Sequence, residues 1–238
     1  MLIIGLTGGI ACGKSTVSKR LQERHKIPII DADQIARDIV EPGQDAYKRI
    51  VDYFGDKVTN LKLPDGHLNR GALGKWVFEH PDDLKKLNSI THPAVRYAIF
   101  KNILWYYVWG YRMCVLDVPL LYEARLDKFC GMTVTVISDQ HQQVERILIR
   151  NPGMTEADAL NRIKAQMTSE ERIERADYVL ENTQDLPHLL EQVDSFVRKV
   201  KPTLIKTVIE YFPPFGAISA AAIILSKSFL DSHKRKMQ

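Results

Sequence analysis

The sequence predicts an α/β fold of three layers, helices packed on both faces of a parallel sheet, and three observations carry that prediction. Leu2-Ile3-Ile4-Gly5-Leu6-Thr7 is an uncharged, strand-length apolar run, as expected of a strand buried on both faces. Gly8-Gly9-Ile10-Ala11-Cys12-Gly13-Lys14-Ser15 follows at once with the spacing G-x-x-x-x-G-K-[ST], and a helix-period stretch with Val17 and Leu21 on one face comes after it,. Further apolar runs recur at residues 27–30, 113–117, 133–137 and 176–182, separated by helical stretches, the alternation that builds a parallel sheet.

The glycine-rich stretch has the chemistry of a phosphate-binding loop, so the fold is that of the P-loop NTPases. Small residues let successive backbone N–H groups converge on phosphate oxygens. The loop feeds the positive end of a helix, which adds a fixed partial charge. Lys14 is placed to reach the β- and γ-phosphates, and the Ser15 hydroxyl to ligate Mg²⁺,. Thr16 extends the helix start toward the α-phosphate. Residues Gly8, Gly9, Ile10, Ala11, Cys12, Gly13, Lys14, Ser15 and Thr16 are therefore the candidate ATP contacts.

Composition narrows the class. A chain of 238 residues with 45% apolar content can build one large α/β domain with insertions,. A net charge of +4 suits an anionic substrate or surface, and no basic block interleaved with aromatics precedes the tail, so no nucleic-acid partner is expected. Cys12, Cys114 and Cys130 show no C-x-x-C spacing, which argues for a reducing compartment without a zinc site or disulfides. Met1 leads directly into the first strand, so neither a signal peptide nor a presequence is expected,.

Along the chain, the second strand delivers Asp31 and Asp33 at its C-terminal end, the edge of an open α/β sheet where ligands bind. Asp33 is expected to cap the next helix, and the pair to accept a proton from an attacking hydroxyl or to hold Mg²⁺ through water. Residues 41–110 read as a helical insertion that grips substrate, with one helix near 46–54, one after Arg70, one from Pro81 and a separate long one from His92-Pro93,. Arg70 and His92 are its candidate anion contacts, and the aromatic cluster at 105–111 is expected to pack in the core. Residues 113–116 are apolar and end in Asp117, an acid beside the phosphate loop that suits Mg²⁺; Glu123 is a further carboxylate near the cleft,. Residues 139–175 read as a lid of paired helices carrying Arg146, Arg150, Arg162, Arg172 and Arg175, of which Arg146 and Arg150 face outward, there to neutralise phosphate charge,. Thr155 and Thr168 are expected to cap its helices, and Asp185 a final helix that Pro202 ends,.

In this order, Gly8 to Thr16, Asp31-Ala32-Asp33 with Ala36-Arg37, Glu41-Pro42-Gly43, Arg70 with Leu73, His92-Pro93, Asp117-Val118-Pro119-Leu120-Leu121 with Glu123, Arg146, Gln166, and Ala176-Asp177 with Asn182 resemble dephospho-coenzyme A kinases over about residues 1–205. The resemblance implies a nucleoside- and nucleotide-kinase-like fold with a helical substrate subdomain and a lid. It implies transfer of the ATP γ-phosphoryl group to the ribose 3′-hydroxyl of dephospho-coenzyme A, the last step of coenzyme A synthesis. On it, Asp33 is the base, Lys14 and Arg146 act on the transferring phosphoryl group, and Asn182 lies near the adenine pocket. Asp31, Arg70, His92, Asp117 and Glu123 serve the acceptor, with Mg²⁺ at Ser15 and Asp117. Another small-molecule P-loop kinase is the near rival. A nucleotide-binding, membrane-associated scaffold is the distant one, against which the missing N-K-x-D stands.

The tail, residues 206–238, leaves the family pattern. Residues 215–225 are free of charge and His233-Lys234-Arg235-Lys236 is basic. A helix over 214–230 would span roughly 25 Å at the usual rise, short of the roughly 30 Å hydrocarbon core. The tail is read as a membrane contact, spanning or interfacial. This predicts an intracellular, cytosol-facing protein on the endoplasmic reticulum, mitochondrial outer membrane or lipid droplets. Other enzymes of coenzyme A synthesis are natural partners for a tethered last step.

Overall fold

A computed structural model describes residues 1–202, so the tail reading falls on residues 203–238, outside the described residues. The sheet has five strands: β1 (Leu2–Gly8), β2 (Ile29–Asp31), β3 (Met113–Asp117), β4 (Met132–Ile137) and β5 (Tyr178–Glu181), in the order β2-β3-β1-β4-β5. β1 lies at its centre. It pairs in parallel with β3, Leu6 opposite Asp117, and with β4, Gly8 opposite Val136. That register sets the start of the phosphate loop and Asp117 at one edge of the sheet.

The described residues divide into two compact units, residues 1–29 with 106–202, and residues 30–105. The first unit carries α1 (Lys14–Glu23), α6 (Gln140–Arg150), α7 (Glu156–Lys164), α8 (Ser169–Arg175) and α9 (Leu186–Val200). One apolar core joins Ile4 and Leu6 of β1, Val17 and Leu21 of α1, Val115, Val134, Val136, and Leu189, Val193 and Phe196 of α9. A second joins Ala11 of the loop to Val144 and Ile147 of α6 and Ala159 of α7. Thr155 and Thr168 start α7 and α8 with reciprocal capping boxes, and Asp185 caps α9 through the His188 N–H,.

The second unit holds α2 (Ala32–Asp38), α3 (Asp45–Phe54), α4 (Arg70–Glu79) and most of α5 (Pro81–Val108). Its core is Ile50, Phe54, Val58, Leu61, Leu68, Leu73, Val77 and Ile90. Three expectations are corrected here. Asp31, the last residue of β2, caps α2, its Oδ1 accepting from the Gln34 N–H at 3.0 Å; Asp33 sits in the first turn. The separate helices expected before and after His92-Pro93 are one continuous α5 of 28 residues with Pro93 inside it. A proline removes one ladder hydrogen bond, and here apolar contacts of Leu87, Ile90 and Ala94 with the α3–α4 core hold the helix across that gap. Finally, the 105–111 cluster is not core: Trp105 is 59% and Trp109 65% exposed. Such rings are amphipathic and tolerate a wet face.

Candidate active site

The loop between β1 and α1 is held from outside by side chains. Ala11 and Gly13 both take positive φ, 60° and 94°, and such left-handed positions gather successive N–H groups into an anion-binding concavity. Three consecutive loop carbonyls are claimed by the rest of the first unit. Gln143 Nε2 donates to Ile10 O at 2.7 Å, Arg146 Nη1 to Ala11 O at 3.1 Å, and Asn182 Nδ2 to Cys12 O at 2.9 Å. With the carbonyls drawn outward, the loop's amide dipoles favour the opposite, phosphate-facing side. The Ile10 N–H is an exception and donates to Gln166 Oε1 at 2.9 Å.

Packing makes two loop glycines obligatory. A Cβ at Gly8 would lie 2.8 Å from the backbone oxygen of Val136, and one at Gly13 would lie 2.3 Å from Asn182 Nδ2. Cys12 is buried beneath the loop with Gln143 Nε2 3.1 Å from its sulfur. Burial pushes its thiol up, so it packs as a neutral group rather than a nucleophile.

Lys14 pairs with the buried Asp117 carboxylate, its Nζ donating to Oδ1. The loop cation and the strand-end acid thus form one unit at the mouth of the sheet. The Ser15 hydroxyl, one residue on, is exposed. Ser15 and Asp117 offer only oxygen, which fits a hard cation that keeps part of its water and takes its remaining ligands from phosphate. Among the described residues no cluster of three His, Cys, Asp or Glu could hold a metal by itself.

The lid arginines depart from expectation. Arg146 does not face outward: besides Ala11 O, its guanidinium donates to Ser138 Oγ at 3.1 Å and Gln142 Oε1 at 3.2 Å. Arg172 is only 1% exposed. Its Nη1 donates to Thr7 Oγ1 and Pro119 O, both at 3.3 Å, and its Nε to Met167 O at 3.2 Å. Glu123 Oε1 lies 3.7 Å from Nη2. Asn182, expected beside adenine, is buried under the loop and its amide is spent on Cys12 O.

The acceptor-side candidates belong to the second unit, apart from Asp117 and Glu123. Asp31 is engaged as the α2 cap. Arg70 Nη2 donates to Arg37 O and Glu41 Oε1, both at 3.1 Å, and His67 Nδ1 lies 2.7 Å from Glu41 Oε2. Asp33 and His92 are exposed. Sequence reasoning missed Thr7, Gln143 and Arg172 as supports of the loop. Gln143 stands three residues before Arg146 on α6, and that same-face spacing was the available signal; nothing local marked Arg172.

Comparison with known proteins bears on what this arrangement serves. A family model described as dephospho-CoA kinase matches residues 2–188. The dephospho-CoA kinase CAB5 of Saccharomyces cerevisiae is 59% identical over 236 residues, covering 99% of this chain and 98% of the relative. The dephospho-CoA kinase of Carboxydothermus hydrogenoformans is 44% identical over 199 residues, 84% of this chain and 94% of the relative. Among solved structures, TT1252 from Thermus thermophilus superposes with a TM-score of 0.70 at 30% identity, over 84% of this chain and 98% of that one.

Proposed function

The chain belongs to the dephospho-CoA kinase family, and from that membership we propose how its residues divide the work of phosphoryl transfer. The reaction moves the γ-phosphoryl group of ATP to the ribose 3′-hydroxyl of dephospho-coenzyme A, giving coenzyme A and ADP. A ribose hydroxyl is a weak acid and the transition state is loose, so catalysis is alignment and charge neutralisation.

The loop amides and Lys14 hold the β- and γ-phosphates. Three outward-drawn carbonyls support that role, because Gln143, Arg146 and Asn182 fix the concavity before nucleotide arrives. Lys14, paired with Asp117 in the free protein, would turn to phosphate oxygen when nucleotide binds. The Ser15 hydroxyl and Asp117 would hold Mg²⁺, which would supply charge neutralisation at the phosphates. Arg146 acts on the phosphoryl group through the loop it braces.

Asp33 takes the proton of the 3′-hydroxyl. The observation that carries this is the division of labour in α2: Asp31 satisfies the helix cap, so the exposed Asp33 carboxylate is not consumed by it. Arg70, His92 and Glu123 serve the acceptor. The tail from residue 206, apolar then basic, contacts a membrane and keeps the enzyme cytosol-facing, where a tethered last step suits association with earlier enzymes of the synthesis.

The test is a coupled assay of the full chain with ATP, Mg²⁺ and dephospho-coenzyme A, beside Lys14→Ala and Asp33→Asn. The wild type turns over and Lys14→Ala does not. Asp33→Asn keeps ATP affinity within about twofold and loses about 10²-fold or more in kcat. Turnover retained in Asp33→Asn removes that residue from the base role, and ATP binding without acceptor phosphorylation by the wild type overturns the acceptor.

A further inference from the structure

Among the described residues, Arg172 is the largest side chain that is less than 2% exposed. Burying a guanidinium is costly unless its donors are well paired. Its pairing is incomplete: Nη2 has no hydrogen-bond partner, and its nearest acid, Glu123, is an ion-pair neighbour at 3.7 Å. A buried donor left so is not a stability device, since an apolar side chain of the same volume would avoid the penalty. What the arginine touches points to another use.

Its partners come from three places in the first unit. Thr7 is the residue of β1 just before the loop, and its Oγ1 both accepts from Arg172 and donates to Pro119 O at 2.8 Å. Pro119 lies two residues past Asp117 on the segment leaving β3, and Glu123 lies four residues further on. Met167, which accepts from Nε, adjoins Gln166, the residue on the Ile10 N–H. One planar fork therefore fixes the root of the phosphate loop, the exit of β3 and the return leg of the lid, and aims its remaining donor at a carboxylate.

We propose that Arg172 is a positioning residue that acts through Glu123: it holds the β3 exit segment so that the Glu123 carboxylate, about one-third exposed, is presented to the acceptor. It touches neither ATP nor the transferring group, in contrast to the phosphate-neutralising lid arginine that its sequence position suggests. This rests on the assignment of Glu123 to the acceptor side, and it adds the reason an arginine is kept inside the fold.

The experiment is a double-mutant cycle on the full-length enzyme, with kcat and the KM of each substrate measured for Arg172→Met, Glu123→Gln and the double variant, and thermal melts alongside. Arg172→Met and Glu123→Gln each reduce kcat/KM for dephospho-coenzyme A about tenfold or more, the KM for ATP changes less than the KM for dephospho-coenzyme A, and the double variant is no worse than the less active single one. Arg172→Lys keeps charge without the fork and recovers only part of the loss; it replaces Arg172→Met in the cycle if that variant does not fold. Multiplying losses, a loss carried by the KM for ATP, or unchanged acceptor kinetics overturns the proposal. Because the wild type serves as reference, its own failure to phosphorylate dephospho-coenzyme A would count against the assigned reaction and not against Arg172.

Discussion

At Gly13 the loop has least latitude. Its φ of 94° is one that an L side chain rarely adopts, and the Cβ it lacks would sit 2.3 Å from the Asn182 amide that holds Cys12 O. Gly13→Ala therefore meets two penalties, backbone strain of about 1–2 kcal/mol and displacement of a buried amide. The expected outcome is a lower denaturant midpoint with at least tenfold weaker ATP binding, read by chemical unfolding and by nucleotide titration. Gly153→Ala shares the φ of 94° but has nothing within 4 Å of its Cβ, so it pays only the strain and leaves ATP binding intact. The residues of the loop were legible in sequence because their spacing is local. Their supports were not: Asn182 reaches Cys12 across 170 residues and Arg172 reaches Thr7 across 165, and no pattern along the chain encodes which carbonyl a distant amide will meet. For the same reason Arg146 reads as an outward charge and Arg172 as a lid cation for phosphate, since helical spacing gives a face but not what covers it.

At the scale of elements, single carboxylates join helices within each unit. Asp194 of α9 accepts from Arg20 of α1 through Nη2 at 2.7 Å and Nε at 3.0 Å, with His25 Nε2 also at 2.7 Å. This ties the helix behind the phosphate loop to α9. Asp83 of α5 accepts from Trp76 of α4 at 2.7 Å and from Tyr53 of α3 and Lys57 at 3.0 Å. Hydrogen bonding, chiefly from Arg20 and from Trp76 respectively, holds both carboxyls down to about 2 against an ordinary value of 3.8. A carboxyl depressed on folding stabilises the native state above its unfolded pKa and loses that contribution as pH falls through the folded one. Stability should therefore decline between about pH 4 and pH 2. Asp194→Asn and Asp83→Asn should each flatten that decline while lowering the melting temperature at pH 7, as thermal melts across the range will read. An unchanged acid limb in both variants would assign acid sensitivity to other groups. The helices that carry these acids were legible from their periodicity and caps. The continuity of α5 was not, because Pro93 is a strong local stop signal that contacts made elsewhere in the chain outweigh.

Across the whole molecule, charge is divided unevenly between the catalytic region and the tail. Residues 203–238 hold five Lys and Arg against two Asp and Glu, so they carry most of the chain's net charge of +4. The kinase region is then close to neutral overall, and its attraction for phosphate is built locally from Lys14 and the loop amides. On the proposal above, the basic excess, next to an apolar stretch free of charge over 215–225, would attract anionic headgroups, worth about 1 kcal/mol per basic residue near the surface. Among the described residues no helix is long and apolar enough to cross a membrane, and the membrane contact proposed above lies on the tail. The chain ended after Pro202 should keep kcat/KM for both substrates within about twofold, because every side chain placed in the site precedes that point. The full chain should sediment with vesicles containing phosphatidylserine, and the truncated chain should not. Raising salt from 50 to 500 mM separates the two contributions, since screening weakens headgroup attraction and leaves apolar insertion in place. Vesicle binding by the truncated chain would move the membrane contact into the kinase region, and loss of turnover on truncation would make the tail part of the catalytic fold.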